Sequence, residues 1–493
     1  MTVDESVVIS RPLTVVEDFF RSRTASGNFR NFLVTGTYNN SLTQDFNLFF
    51  KALRKTILDY HILATNVQFD KTAKKFAFVP LKSLRLKDVL VVQDEGKWIT
   101  DGRINEQYMK FCNGTQFPLY EESPLFKLVL VGDKYLSVIL EHTIADGVVA
   151  NYFHEIFLEN LAHCESVDDK EFIDKYGPIP DQIDLQNTTV FNFEKDKQYI
   201  RNSLPPPIDY FLEDIDLDYS YGDPNFQEKI FPKQHPNKWK GRFNTVDRHD
   251  IGSKLINFTP QETKQILASC KRYGVSLTPY IEIIHALTMQ PVFGDEEYTT
   301  HRTAMTLRRH LTPELAPEPY KKILSDPKYK IFGTMAHMGF AQNFPPIKEF
   351  SWELVQKVST DLANAVKNKR ALNQLKYWKD NGDSLHKTND AFFQANTGKP
   401  KADAVKISNL GFIKVPEYPV ANSDKKWTIT DMIFSQDMAP YASEFMLSVV
   451  STPLGGMNFV ESFYDYSFDD GDWENFDHFI VQLRENMLKY AQT

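Results

Sequence analysis

The chain has 493 residues, which is too long for a single hydrophobic core and therefore predicts two large domains. The composition is that of a globular protein, with 42% hydrophobic residues, and the net charge of −9 argues against a nucleic-acid-binding protein. Three widely spaced cysteines, Cys112, Cys164 and Cys270, predict neither a disulfide framework nor a zinc site, and they favour a reducing compartment.

The sequence contains no predicted segment for crossing a membrane. The acidic N-terminal residues 1–12 lack a long apolar run, so we expect no signal peptide, and no run of about 18 uncharged apolar residues predicts a transmembrane helix. The last predicted helix has an apolar face that includes Trp473 and Phe476. Core packing is the first interpretation of this face and membrane-surface contact is the second. We expect a cytoplasmic protein, with peripheral contact to the endoplasmic reticulum membrane or to lipid droplets as the alternative.

Capping signals and hydrophobic periodicity predict the elements of the first half. Thr14 and Glu17 form a capping box that opens a short helix, and Ser41 with Gln44 predicts another capping box before a helix through Tyr60. An apolar helix is predicted from about residue 147. Strands are predicted at 32–38, 76–79, 89–92, 125–131 and 135–140, of which the last two form a hairpin.

The second half begins after a change in composition. Segment 166–250 is rich in proline and is predicted to be a crossover between an N-terminal subdomain, 1–165, and a C-terminal subdomain, 251–493. Thr259, Thr278 and Ser351 predict helix starts in the C-terminal subdomain. Both halves mix hairpins with amphipathic helices, which favours an α+β fold. Strands are predicted at 254–258, 303–307, 405–407, 427–434, 444–452 and 457–463, before a final helix at 472–490.

The sharpest chemical signal is the hexapeptide His142-Thr143-Ile144-Ala145-Asp146-Gly147, between the predicted hairpin and the apolar helix. A histidine held at this place suits a general base, although a hydrogen-bonded core histidine gives the same pattern. Asp146 also fits the N-cap of the helix, and Gly147 permits close approach of another backbone or a ligand. The chain lacks G-x-S-x-G, G-x-G-x-x-G, P-loop and H-E-x-x-H motifs, so nothing supports a hydrolase, dehydrogenase, nucleotidase or metalloprotease, and no metal site is predicted.

The hexapeptide resembles the H-x-x-x-D-G motif of the CoA-dependent acyltransferase superfamily, which includes chloramphenicol acetyltransferase, the plant BAHD acyltransferases and peptide-synthetase condensation domains. Within this superfamily the chain is similar to the fungal alcohol acetyltransferases. The similarity extends from about residue 15 to residue 463. It rests on Val16-Glu17-Asp18 with Arg30-Asn31-Phe32, Leu277-Thr278-Pro279-Tyr280 with His285, Leu307-Arg308, Ser408-Asn409-Leu410-Gly411 and Gly455-Gly456-Met457-Asn458.

The resemblance implies two chloramphenicol-acetyltransferase-like α/β sandwich domains that meet at a central channel. It implies that His142 is the general base, which takes a proton from the acceptor as that atom attacks the thioester of acetyl-CoA. Asp146 is implied to turn away from the substrate and to pair with Arg308, or with Arg309 as the fallback. A solvated strand end is the alternative for Arg308. Gly147 and Arg308 would support the active site, and acetyl-CoA is a co-substrate, with no bound cofactor implied.

Two further groups of residues have two interpretations each. Ser408 and Asn409 follow a predicted strand, where they would either donate to the tetrahedral oxyanion or form a channel-lining turn, which we prefer. Lys367, Lys369 and Arg370 end a predicted helix, where they would either contact the phosphates of CoA or form a solvated helix end, which is the favoured interpretation.

The leading hypothesis is an alcohol O-acetyltransferase that forms acetate esters from acetyl-CoA by direct transfer in a ternary complex. The alternatives within the enzyme class are O-acetylation of a sterol and N-acetylation of a sphingoid-type amine. An inactive lipid- or sterol-binding relative is the alternative outside it. The acceptor is therefore expected to be a small or lipid-like alcohol or amine.

Overall fold

The fold consists of two mixed β-sheets flanked by helices, which confirms the predicted α+β class. A computed structural model describes residues 7–213, 215–216, 235–241, 250–333, 337–386, 388–464 and 472–493. At 337–338, 381–386 and 472–475 it describes the backbone alone.

The N-terminal sheet has five strands and is built around the predicted hairpin. Phe126–Val131 and Tyr135–Leu140 pair antiparallel across a turn at Gly132, whose φ of 58° lies in the left-handed region that glycine accepts. Helix Phe46–Asp59 and helix Gly147–Ser166 contribute side chains to the apolar core of this half. In spatial order, the strands are Ile429–Gln436, Phe32–Tyr38, Tyr135–Leu140, Phe126–Val131 and Leu90–Gln93.

The C-terminal sheet has six strands, and its two faces have different neighbours. Val405, Ile407 and Leu447 lie on one face, in a core shared with four long helices. Val450 and Val460 belong instead to the core of the N-terminal half, so the other face looks toward that half. The spatial order of the strands is Ile251–Phe258, Gly456–Tyr464, Ser443–Thr452, Asp403–Phe412, Thr299–Thr306 and His337–Phe344.

One strand crosses between the halves. Ile429–Gln436 lies late in the chain, yet it pairs antiparallel with Phe32–Tyr38 at the edge of the N-terminal sheet. The two halves therefore share backbone hydrogen bonds as well as side-chain contacts. The subdomain bounds 1–165, 166–250 and 251–493 stay a prediction, with the addition that this strand belongs to the first sheet.

Helices fill the space around the sheets. The α-helices are Val15–Ala25, Phe46–Asp59, Leu86–Val89, Glu106–Asn113, Gly147–Ser166, Asp169–Tyr176, Phe193–Asp196, Pro260–Arg272, Leu277–Phe293, Tyr320–Leu324, Trp352–Lys367, Arg370–His386, Asn389–Asn396 and Asp472–Lys489. A small three-stranded sheet has the order Arg11–Pro12, Lys75–Pro80 and Thr65–Asp70. Two-stranded sheets join Ser83–Arg85 with Thr189–Asn192, Ile99–Thr100 with Arg103–Ile104, and Tyr418–Pro419 with Lys426–Trp427.

The helix starts agree with the capping signals at most positions. The boxes at Thr14 and Thr259 both form, and Ser351 caps its helix as predicted. The predicted box at Ser41 is wrong, because the N-cap of helix Phe46–Asp59 is Asp45, whose carboxylate accepts hydrogen bonds from the first turn. Asp45 stands directly before the apolar run and competes successfully for the N-cap position.

Segment 166–250 is more regular than its proline content predicts. Helix Asp169–Tyr176 and strand Thr189–Asn192 lie within it, and Phe172 and Val190 are fully buried in the N-terminal core. Residues 214, 217–234 and 242–249 of the segment lie outside the described residues. The early described part therefore packs against the first half, whereas Phe211 shares a core with Leu307 of the second half.

Candidate active site

His142 lies just after the hairpin strand Tyr135–Leu140, and aromatic rings surround its imidazole. Its ring stacks on Phe20, with the centroids 4.0 Å apart and the planes within 8°. Phe32 lies 5.0 Å away at a tilt, and Phe29 lies 5.7 Å away with its edge toward the imidazole. The side chain is 6% exposed, so packing fixes the plane in which the imidazole lies.

The residues on either side of His142 are anchored by hydrogen bonds. The buried carboxylate of Glu141 accepts from Thr24 Oγ1 at 2.5 Å and from the Thr143 backbone N–H at 2.6 Å. Burial raises the pKa of Glu141 above its ordinary value. Because Thr24 lies on helix Val15–Ala25, the same helix that supplies Phe20, the loop and the aromatic wall are held as one unit.

Asp146 uses one carboxylate oxygen for each of its two predicted roles. Oδ1 caps the helix Gly147–Ser166 by accepting from the N–H groups of Val148 and Val149 at 3.1 and 3.2 Å. Oδ2 accepts from Arg308 Nη1 at 2.8 Å, in a pair whose side chains are 5% and 9% exposed. The structure thus brings together the two residues that the resemblance pairs, and Arg308 is not the solvated strand end of the alternative interpretation.

Arg308 is held by carbonyl groups as well as by the carboxylate. Its Nη2 donates to the Gly333 carbonyl at 2.7 Å and its Nε donates to the Ile331 carbonyl at 3.3 Å. The guanidinium also lies over the ring of Tyr152, 5.7 Å from its centroid. Arg308 therefore ties the start of the N-terminal motif helix to two points of the C-terminal half, and Asp146 lies at the contact between them.

Gly147 lies where side chains from two late strands of the chain approach the start of the motif helix closely. A Cβ atom at this position would lie 2.8 Å from Leu410 Cδ2 and 3.2 Å from Phe434 Cζ. Both distances are shorter than ordinary van der Waals contact, so a larger residue would push the strands that carry Leu410 and Phe434 away from the motif helix. The glycine is needed for this approach and not for an unusual backbone angle.

A cavity of about 640 Å³ opens beside Asp146 and Arg308, and we call it the Arg308 cavity. It lies between the motif helix, the C-terminal sheet and helix Trp352–Lys367, and a volume of this size suits a small-molecule site. Its lining residues are Asp146, Gly147, Val148, Ser276, Thr278, Thr303, Ala304, Met305, Thr306, Arg308, Arg309, Ser359, Leu362, Ala363, Val366, Lys367, Ser408, Asn409 and Leu410.

Ser408 and Asn409 line this cavity from within the strand Asp403–Phe412, so the preferred interpretation of a turn after the strand is wrong. The turn-forming residues instead sit at an irregularity of the strand, whose register shifts after Asn409, and Gly411 has a φ of 87°. Asn409 is fixed on both sides of its amide, since Nδ2 donates to Thr278 Oγ1 and Oδ1 accepts from the Gly411 N–H.

The structure separates the three cations predicted at one helix end. Lys367 ends its helix and lines the Arg308 cavity. Lys369 has a positive φ of 52° in the connection, and Arg370 begins the next helix. Arg370 is 8% exposed and its guanidinium lies 4.7 Å from the centroid of Phe340, so the interpretation as a solvated end is wrong for Arg370. The apolar ring and the short connection between the helices turn it inward.

Two other buried histidines have structural partners. His154 Nε2 lies 2.9 Å from the Val34 carbonyl and Nδ1 lies 3.0 Å from Tyr38 Oη, and burial lowers the pKa of His154 to about 4. His285 Nε2 lies 3.1 Å from Glu461 Oε2 inside the C-terminal half. Both are core histidines with polar partners, whereas the aromatic rings of Phe20, Phe29 and Phe32 pack against His142.

Sequence reasoning passed over the residues that pack around His142 and a group of cations near it. The capping box at Thr14 predicts a short helix through Phe20, whereas the helix continues to Ala25 and includes Arg23. Lys406 interrupts the apolar run Ala404-Val405-Lys406-Ile407. A charged residue in the middle of a buried strand is a signal that could have singled out Lys406.

The fold resembles those of a solved acetyltransferase and of a solved condensation domain. The trichothecene 15-O-acetyltransferase TRI3 of Fusarium sporotrichioides superposes with a TM-score of 0.63 at 12% identity, covering 97% of this chain and 94% of that one. The first condensation domain of the CDA synthetase gives 0.61 at 12% identity, covering 99% and 98%. These likenesses show a chloramphenicol-acetyltransferase-like fold, as the resemblance implied.

Sequence comparison assigns the chain to one protein family. The family described as alcohol acetyltransferase matches residues 13–487, and the chain belongs to this family. In Saccharomyces cerevisiae, N-acetyltransferase SLI1 is 21% identical over 476 residues, which cover 90% of this chain and 93% of that protein. Alcohol O-acetyltransferase 1 of the same organism is 23% identical over 332 residues, covering 62% and 59%. The protein is an acyltransferase, and its fungal alcohol acetyltransferase resemblance is confirmed.

The last helix shows how its apolar face is used. Phe476, Phe479 and Leu483 are buried in the C-terminal core, which agrees with the first interpretation of this face. The side chain of Trp473 lies outside the described residues. Within the part of the chain that the structure describes, no helix combines the length and the apolarity that spanning a membrane requires.

Proposed function

We propose that the protein transfers an acetyl group from acetyl-CoA to the hydroxyl group of an alcohol, with His142 as the general base. The observation that carries the proposal is that Asp146 and His142 have separate contacts within the motif. Asp146 uses both carboxylate oxygens to hold the helix start and Arg308, while the imidazole of His142, four residues earlier, is held by its stack on Phe20. Imidazole has an ordinary pKa close to neutral pH, so it can both accept and return a proton there.

The transfer needs one base and no covalent enzyme intermediate. His142 removes the proton of the acceptor hydroxyl as the oxygen attacks the thioester carbonyl carbon. The tetrahedral intermediate then collapses, the carbon–sulfur bond breaks, and the thiolate of CoA takes the proton back from the imidazolium. The products are an acetate ester and free CoA. Both substrates must be bound together, because the acetyl group passes directly from sulfur to oxygen.

The Arg308 cavity suits the CoA side of this reaction. It has the volume of a small-molecule site, and Arg309 and Lys367 bring positive charge to it, which favours a phosphate-bearing ligand. Ser408 lines the same cavity and its hydroxyl could donate to the oxyanion of the intermediate. Asn409 is less suited to that role, because one of its two amide N–H groups is donated to Thr278 and its Oδ1 accepts from Gly411, which fix the amide in place. Lys369 and Arg370 lie outside the residues that line the cavity, so Lys367 is the better of the three for CoA.

An amine acceptor is the second candidate. The relative that aligns with 90% of this chain bears the name N-acetyltransferase, whereas the relative named alcohol O-acetyltransferase aligns with 62%. A neutral amine attacks the thioester in the same way and yields an amide, and His142 would again take the released proton. The choice between alcohol, sterol and amine depends on the shape and charge of the acceptor side.

The test is release of free thiol from acetyl-CoA with isoamyl alcohol, a sterol and a long-chain amine as acceptors. We expect acceptor-dependent thiol release by the wild type and a fall of at least a hundredfold in His142→Ala, since a positioned general base contributes about 10²–10⁴ in rate. His163→Ala is the matched control, because His163 is a half-buried histidine on the motif helix, and it should keep wild-type rates.

Two outcomes contradict the proposal. Wild-type rates in His142→Ala, in protein that unfolds at the wild-type temperature, would remove His142 as the base. Absence of acceptor-dependent thiol release across the whole panel would favour the alternative of a relative that binds lipids or sterols without catalysis.

A further inference from the structure

Three basic side chains converge beside the Arg308 cavity, on strands that also line it. Arg23 comes from helix Val15–Ala25, while Arg302 and Lys406 are direct neighbours on two parallel strands of the C-terminal sheet. Arg23 and Arg302 both lie within electrostatic reach of the Lys406 ammonium. We call Arg23, Arg302 and Lys406 the basic cluster.

The carboxylates near the cluster are already engaged. Asp403 binds Arg302 with both oxygens, at 2.6 and 3.0 Å. Asp437 binds Arg30, and the two oxygens of Glu141 accept from Thr24 and Thr143. Among the described residues, neither Arg23 nor Lys406 has a carboxylate within ion-pair distance. The cluster therefore carries more positive charge than its surroundings neutralise.

Arg23 is the most isolated member of the cluster. It is 4% exposed, and its Nε and Nη2 groups have no hydrogen-bond acceptor in the described part of the chain. Its guanidinium lies 3.7 Å from the centroid of Phe29 and 4.6 Å from that of Phe20, and Tyr441 is its hydrogen-bonding neighbour. Burying a guanidinium without an acceptor for its N–H groups is costly unless a ligand supplies one.

Arg302 and Lys406 border a space that solvent can enter. Both lie deep within the protein, yet the Arg302 side chain keeps 33% of its surface accessible and Lys406 is half-buried. Burial, together with Arg23 and Arg302, lowers the pKa of Lys406 to about 7. An anion in this space would relieve the repulsion between the cations and accept hydrogen bonds from them.

Aromatic rings connect this space to His142 and bound it on another side. Phe20 and Phe29 contact both the Arg23 guanidinium and the His142 imidazole. Tyr441 packs against Phe392 and Phe393, with ring centroids 5.6 and 5.3 Å apart. The surroundings thus combine a positive end with an apolar wall, next to the residue that removes the proton of the acceptor.

We propose that Arg23 and Lys406 bind a carboxylate carried by the acceptor, a few bonds from the hydroxyl or amine that His142 deprotonates. The inference rests on the proposed function and specifies its substrate class: an amphipathic hydroxy acid or amino acid rather than a neutral alcohol. A planar carboxylate matches the two N–H groups of Arg23 that lack acceptors, and Lys406 adds a third donor.

The basic cluster borders the CoA side. Ala304 lies two residues beyond Arg302 on the same face of one strand, about 7 Å away at 3.3 Å per residue, and it lines the Arg308 cavity. Lys406 and Ser408 have the same relation on the neighbouring strand. An anionic acceptor at the cluster would therefore lie next to a thioester arm in the Arg308 cavity.

The first test measures binding without turnover, by calorimetry with octanoate and octanol. We expect octanoate to bind the wild type at least about tenfold more tightly, since a hydrogen-bonded charge pair is worth roughly a factor of ten or more. Lys406→Met should lower octanoate affinity about tenfold and leave octanol affinity within about twofold. Lys414→Met, at an exposed lysine on the same segment, is the control and should change neither.

Equal affinity for octanoate and octanol, or an unchanged preference in Lys406→Met, would overturn the proposal. A parallel loss of acetyl-CoA affinity in Lys406→Met would also overturn it, because the cluster would then belong to the CoA site. Octanoate binding and turnover by the wild type separate the two proposals: if the wild type prefers octanoate over octanol but acetylates no acceptor, the transferase assignment fails and the carboxylate site stands.

The second test is turnover with 2-hydroxyoctanoate and its methyl ester. We expect the free acid to be preferred about tenfold in kcat/KM by the wild type and this preference to disappear in Lys406→Met, with the rate on the ester unchanged. A preference for the ester, or a loss of rate on both substrates alike, would show that Lys406 does not recognise the carboxylate.

Discussion

The contact between Asp146 and Arg308 yields a prediction that separates two functions of one carboxylate. Asp146→Asn removes the negative charge but keeps an oxygen that can cap the helix, because asparagine is as good an N-cap as aspartate. The substitution should therefore break the ion pair at 2.8 Å while the two hydrogen bonds from Val148 and Val149 persist. Whatever stability is lost belongs mainly to the pair.

The expected loss in unfolding free energy is about 3 kcal/mol. Breaking a buried ion pair by removing one partner costs about 3–5 kcal/mol, because the other charge stays buried and unpaired. Both side chains are almost fully buried, at 5% and 9% exposure, so solvent screens the pair only weakly. The lower end of the range applies, since Arg308 keeps the carbonyl groups of Ile331 and Gly333 as acceptors.

Urea denaturation of a double-mutant cycle measures this quantity. We expect Asp146→Asn and Arg308→Met to destabilise singly, and the double variant to lose about 2 kcal/mol less than the two losses combined. Asp45→Asn is a matched control, because Asp45 caps helix Phe46–Asp59 through the same two kinds of hydrogen bond, and it should cost less than about 0.5 kcal/mol. Additive losses in the cycle, or a loss in Asp146→Asn as small as that of the control, would refute the reasoning.

Two further predictions concern packing and pH. Gly147→Ala should destabilise the fold by about 1–2 kcal/mol and slow acetyl transfer, because the new Cβ would lie 2.8 Å from Leu410 and 3.2 Å from Phe434. Helix propensity alone would instead raise the unfolding free energy by about 1 kcal/mol, and such a gain in urea denaturation would contradict the prediction. Burial raises the pKa of Glu282 to about 8, so the folded state keeps a proton that the unfolded state releases above about 4.5. The unfolding free energy should therefore fall as the pH rises between these two values. Measured by thermal unfolding and relative to Glu282→Gln, the wild type should lose about 3 kcal/mol from pH 4.5 to pH 7. A stability difference between the two proteins that does not change with pH would count against the raised pKa of Glu282.

Local signals in the sequence predicted the scaffold of the motif well. The helices predicted after Thr14 and Thr259 begin at the predicted residues. The strands of the hairpin before His142 have nearly the predicted bounds. These features depend on hydrogen bonds between residues close in the chain, so the sequence contains most of the information that determines them. The Asp146–Arg308 contact spans 162 residues, and only the resemblance to a family suggested it.

The features that escaped prediction depend on tertiary contacts. Helices Arg370–His386 and Asn389–Asn396 contain many polar residues and have no strong periodic signal. Strand Ile429–Gln436 was predicted, yet its residence in the first sheet was not, because its apolar character fits either sheet equally well. The isolation of Arg23 also follows from packing, since no neighbour in sequence supplies its missing acceptors.

Strand Ile429–Gln436 makes this enzyme hard to divide. A chain cut after residue 250 would leave Phe32–Tyr38 as an exposed edge of the first fragment, and it would leave the second fragment with an unpartnered strand. Each fragment would be prone to aggregate, whereas mixing both would allow the missing strand to be restored by complementation. The hydrogen bonds of this strand pair also oppose a hinge motion that would separate the halves. Substrates would therefore have to enter through fixed openings. Turnover should tolerate cross-linking between the halves.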